Sequence, residues 1–147
     1  MTLDGAYEFP APRAKVWAAL LDPAVLGRTL PGCDKLEAIR PGEYRAIVKV
    51  GVAAVKGTFE GEVKLADLEP PTRYRMSLEG SGGPGFVRGE ASLELVDMPG
   101  GTRVHYRADV QVGGLIAGVG QRMLGGVARM VLEQFFARIA TELGASA

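Results

Sequence analysis

From Asp34 to Val112 the chain alternates apolar and polar residues with a period of two. The alternating segments are DKLEAI, EYRAIVKV, GTFEGEVKLADL, RYRMSLE, VRGEASLELV and TRVHYRADVQV. Between them fall Pro41-Gly42, GVAAVKG, Pro70-Pro71, GSGGPG and Pro99-Gly100-Gly101. Alternation punctuated by turn residues predicts an antiparallel meander with one buried face. Ahead of it, Leu3–Phe9 (LDGAYEF) predicts a first strand, closed by Pro10 and Pro12. Arg13–Leu21 places Val16, Trp17 and Leu20 on one helical face. Asp22-Pro23 supplies a cap and a first-turn proline for a second short helix to about Thr29. Behind the meander, apolar residues at helical spacing predict one long helix from about Leu115 to Leu143. A sheet with one apolar face must be covered, and only the last helix is long enough to do it. The expected fold is α+β, one domain over residues 1–147. It is a helix-grip arrangement, with a seven-stranded antiparallel sheet wrapped around a long C-terminal helix and two short helices after strand 1.

The alternation also sorts side chains by face. One face carries Glu, Arg, Lys, Asp and the single histidine, His105, and reads as a solvated lattice of cross-strand charge pairs. The other mixes aromatics with small residues: Tyr44, Val48, Phe59, Tyr74, Met76, Leu93, Tyr106 and Ala108. On the last helix, Ile116, Val119, Met123, Val127 and Met130 form an apolar stripe at 100° per residue. Small inward residues opposite a glycine-bearing helix point to an apolar ligand cavity lined by these positions. The alternative is a core that leucines and phenylalanines of the helix fill. No inward carboxylate or histidine offers a general base, and no catalytic residue is assigned.

Glycine is abundant, with 21 residues, and is distributed unevenly. Alternate connections of a meander fall at opposite ends, which puts LPGC, GVAAVKG, GSGGPGF and VGGLIAG at one rim. Gly32, Cys33, Val52, Val55, Gly83, Phe86, Gly114 and Leu115 are therefore expected to form an uncharged portal. VGGLIAGVGQRMLGG (Val112–Gly126) holds six glycines where the long helix should start, although each costs about 1 kcal/mol against alanine in a helix interior.

Composition narrows the functional classes. Seventeen basic residues balance seventeen acidic ones, so no basic excess points to nucleic acid. One cysteine and one histidine cannot build a Cys/His zinc cluster. MTLDGAYEF lacks the basic and apolar regions of a secretory signal, and no apolar run reaches the ~18 residues of a membrane span. A cytoplasmic location is expected. GSGGPG lacks the Gly-Lys-Ser/Thr of a phosphate loop, and no Gly-x-Ser-x-Gly elbow occurs.

Three stretches together carry a family resemblance: VWAALLDPAVLGRTLPGC, YRAIVKVGVAAVKGTFEGEVKL and VQVGGLIAGVGQRMLGGVARMVLEQFFARI. With them the chain resembles the CoxG subunits of carbon monoxide dehydrogenase, a family of the START/Bet v1-like superfamily, over nearly its whole length. The resemblance implies a helix-grip fold with an apolar cavity. It also implies association with molybdenum hydroxylase subunits and a peripheral membrane contact. A respiratory isoprenoid quinone or a lipid is the ligand that setting suggests, with no covalent cofactor. The expected role is a non-enzymatic carrier that couples the partner enzyme to the membrane. Two alternatives stand beside it: a polyketide cyclase-like enzyme using Tyr44, Tyr74 or Tyr106 as acids, and an assembly factor with a filled core.

Overall fold

The computed structural model describes residues 1–51 and 55–145. β1 (Thr2–Phe9) leads into α1 (Arg13–Leu21) and α2 (Pro23–Thr29). The Asp22 carboxylate accepts from the Ala24 N–H at 2.9 Å, so the expected cap forms directly ahead of Pro23. β2 (Cys33–Arg40), β3 (Glu43–Val50), β4 (Gly57–Glu69), β5 (Arg73–Gly82), β6 (Gly85–Met98) and β7 (Gly101–Gly113) follow. They form one antiparallel sheet in the order β1-β7-β6-β5-β4-β3-β2. The two short helices carry the chain from one edge of the sheet to the other.

The core sits at the end of the sheet bearing the proline turns. Phe9, Val16, Leu20, Leu95, Val104, Phe136 and Ile139 are all buried there. Phe136 stacks on Tyr7 and Tyr106 with ring centroids 5.5 and 5.4 Å apart. Arg28 clamps α2 to the last helix with two bonds to the Glu142 carboxylate, 2.8 and 3.1 Å long.

The long helix does not start at Leu115. Leu115–Val119 is a separate 3-10 turn, and α3 spans Gln121–Ala145. The cause lies in the glycines on either side of the turn. Gly114 has φ 79° and Gly120 has φ 100°, backbone that L side chains rarely adopt. A Cβ at Gly114 would also lie 2.7 Å from the Cα of Gly85. The glycines therefore bracket a short turn with two reversals instead of weakening a helix. Ile116, buried, anchors that turn through its N–H to the Pro84 carbonyl at 2.9 Å.

Candidate functional site

The strand register stacks inward residues in rows across the sheet. Next to the row of Tyr7, Val104 and Leu95 at the proline turns, Gly5, Tyr106, Leu93 and Tyr74 line up. The next row is Leu3, Ala108, Ala91, Met76 and Leu65. Beyond it come Val110, Gly89, Leu78, Val63 and Tyr44, and then Val112, Val87, Gly80, Gly61 and Ala46. Val48 and Phe59 pair at the glycine rim.

Burial changes along these rows. Leu93 and Tyr74 are enclosed, but Met76, Leu78, Val63, Phe59, Val87, Ala108, Val110 and Val112 are only half-buried. Met76 and Leu78 lie on β5, the middle strand of seven. An inward apolar residue on a middle strand stays accessible only where nothing covers it. The buried side chains by which α3 meets the sheet, Phe136, Ile139 and Leu143, belong to the core at the proline-turn end. Leu124, Val127, Ala128, Val131 and Leu132 of α3 are half-buried in the same way.

This geometry corrects the expected helix stripe. Met123 is 53% and Met130 40% exposed, and both sit on the side of α3 that also carries Glu133 and Gln134. Phe136, Ile139 and Leu143 fix the sheet-facing side, and Met123 and Met130 lie about half a turn away from it at 100° per residue. Ala128 and Leu132 follow from extending that core phase back toward the N-terminus, while Leu124 and Val131 lie about a quarter turn or more off it. Val127, as far from that phase as Met130, is nonetheless half-buried, as is Val119 in the 3-10 turn.

The portal residues gather at one end, but they do not share one face. Gly32 has φ 74°, and a Cβ there would collide with the Lys49 carbonyl oxygen. Cys33 is half-buried and pairs in register with Val48. Burial raises the Cys33 thiol pKa. Val55 is buried, Gly83 faces open space, and Leu115 is 80% exposed. Phe86 lies on the outer face, its ring over Gly113. Val52 falls outside the described residues. A concavity of about 430 Å³ opens at this end, between the last residues of β7 and the start of α3. Val110, Val112, Ala117 and Leu124 line it together with Met1, Phe86 and two polar residues, Gln111 and Gln121.

The inward positions Tyr44–Val50, Phe59–Leu65, Tyr74–Gly80, Val87–Leu95 and Val104–Val112 carry no ionisable group other than tyrosine and no histidine. Tyr44 donates to the Leu21 carbonyl at 2.8 Å. Burial raises the pKa of both Tyr44 and Tyr74, so both hold their protons at neutral pH. The outer face is the expected charge lattice, with Arg45–Glu62 at 3.0 Å and Arg88–Glu79 at 3.4 Å. A groove of about 540 Å³ runs among those charges and was not foreseen, because strand alternation assigns a face without giving its curvature. His105 is exposed on the outer face opposite Glu94, as expected. Among the described residues no cluster of His, Cys, Asp and Glu could hold a metal, and no helix is long and apolar enough to cross a membrane.

Residues 5–144 match the family of the CoxG subunit of carbon monoxide dehydrogenase. The chain belongs to the CoxG family. A conserved protein from Geobacillus kaustophilus is similar to this CoxG chain at 37% identity and TM-score 0.96, covering 99% of this chain and 97% of that one. A START superfamily protein from Mycobacterium smegmatis shares the fold at 14% identity and TM-score 0.78, with 99% of each chain covered. Ara h 8.0201 does so at 15% identity and TM-score 0.73, over 99% of this chain and 98% of that one. No curated protein matches the chain. The CoxG assignment and the START/Bet v1-like helix-grip fold agree with the sequence expectation.

Proposed function

We propose that this chain is a non-catalytic carrier of a neutral apolar molecule, an isoprenoid quinone or a lipid. It works beside a carbon monoxide dehydrogenase-type molybdenum hydroxylase and touches the cytoplasmic surface of the membrane peripherally. The observation that carries the reading is the inner face itself, apolar and uncharged from Tyr44 to Val112 yet only half-buried on its middle strands. The family assignment supplies the partner class. A catalytic role has no support in the lining, since the Tyr44 hydroxyl is tied to a backbone carbonyl and no base stands beside either buried tyrosine.

Native mass spectrometry of protein purified without detergent tests the carrier reading. An isoprenoid or lipid adduct is expected. Ala108, between Leu3 and Ala91 in its row, is the position to fill. Ala108→Leu should fold normally and lose the adduct. A loss of about 1–3 kcal/mol of stability, with no adduct on either protein, would mean the space is already packed and would overturn the reading.

A further inference from the structure

We infer that the Tyr74 hydroxyl is the polar anchor of the inner site, and that the site selects a neutral amphiphile bearing a hydrogen-bond-accepting oxygen over an ionised fatty acid. The inference rests on the carrier reading above and names the chemistry of the head group.

Tyr74 projects inward from the middle strand and is 3% exposed. Its ring is held edge-on by Trp17, with centroids 5.4 Å apart and planes at 90°. Tyr44 shows what a satisfied phenol looks like here, its hydroxyl spent on Leu21. The Tyr74 hydroxyl has no such bond among the described residues. Nor is its oxygen sealed away, because no fully enclosed side-chain oxygen or nitrogen in the described residues lacks a partner. It is an unpaired donor with a trace of accessible surface on an otherwise apolar inner face. A buried donor left unpaired costs free energy that a ligand acceptor can recover. Burial also holds the phenol in its protonated, donating form. The inward positions around it offer no cation, so a carboxylate brought there would lose its hydration without compensation.

Trp17 is the only tryptophan of the chain and abuts Tyr74, which makes its fluorescence the natural reporter. The probes are 2-undecanone, undecane and undecanoate, titrated at pH 8 into the full chain. The ketone should bind roughly tenfold tighter than the alkane, the worth of about one hydrogen bond, and undecanoate should bind weakest. Tyr74→Phe should reduce the ketone to the alkane's affinity and leave the alkane unchanged. Tyr7→Phe, the control on a half-buried phenol that stacks on Phe136 in the core, should preserve the preference. A variant-free measurement stands beside these titrations. The infrared carbonyl band of the bound ketone should fall below its position in hydrocarbon. Alkane binding without a ketone preference, an unshifted carbonyl band, a preference that survives Tyr74→Phe, or undecanoate binding as tightly as the ketone would each overturn the anchor and leave the carrier reading in place. Binding of none of the three would overturn both.

Discussion

The two ends of the sheet are made from the same strands and do opposite things. At the proline-turn end, Leu95 and Val104 sit beneath Val16, Phe136 and Ile139, and scarcely any side-chain surface remains accessible. At the glycine end, Val87, Val110 and Val112 belong to the same strands and stay half-exposed. β6 alone passes from one condition to the other between Leu95 and Val87. The contrast lies in the cover. Aromatic residues of β1 and α3 and the apolar face of α1 close one end, while a 3-10 turn between two left-handed glycines stands at the other. Tight packing and accessible apolar surface are thereby separated along each strand.

Truncation gives the largest expected break in that contrast. Ile139→Ala removes a fully buried side chain and should cost about 2–5 kcal/mol in denaturant unfolding. Leu78→Ala, inward but half-exposed, should cost under ~1 kcal/mol. Equal losses at the two sites would mean that the rim is packed like the core. The bracketing glycines come next. Gly114→Ala should destabilise by about 1–2 kcal/mol, because its φ is 79° and Gly85 lies against it. Gly118→Ala, facing open space, should be neutral within ~0.5 kcal/mol, and thermal melts of the pair separate conformational need from simple composition.

A smaller effect should appear in alkali. Burial raises the Tyr74 pKa above that of an unfolded phenol. Above pH ~10 the unfolded chain releases that proton while the folded chain retains it, so stability falls as pH rises. Tyr74→Phe should flatten this part of the curve of unfolding midpoint against pH from 8 to 11, and an unchanged slope would assign it to other groups. The smallest expected effect is at His105. His105→Gln should leave the melt and apolar-ligand uptake unchanged, since the ring is exposed on the outer face opposite Glu94. A loss of uptake would place a functional contact on the charged face.

The faces of the sheet were legible because alternation depends on local geometry, and the structure keeps Tyr44, Phe59, Tyr74 and Ala108 on the side where the pattern puts them. The bounds of α1 follow from its proline flanks in the same local way. What stayed hidden depended on global geometry. Apolar spacing across residues 115–143 is the same whether or not the backbone reverses at Gly120, so one helix was expected where a turn and a helix stand. The error carried through to Met123 and Met130, whose phase was counted from the wrong start. Tyr74 could be placed inward from its spacing. That its hydroxyl reaches no carbonyl, while the Tyr44 hydroxyl reaches Leu21, depends on how α1 lies across the strands.

The sheet order also constrains how the molecule comes to be folded. The hairpins from β2 to β7 each join neighbours in sequence and can zip locally. β1 cannot, since its partner is β7, and the Thr2–Asp109 side-chain bond spans 107 positions. Closing so long a loop is entropically late work. On the ribosome, Leu3, Tyr7 and Phe9 must wait without their strand partner until residues 101–113 have emerged. The first strand made is therefore expected to be the last one seated, and the aromatic cluster around Phe136 is completed at that step.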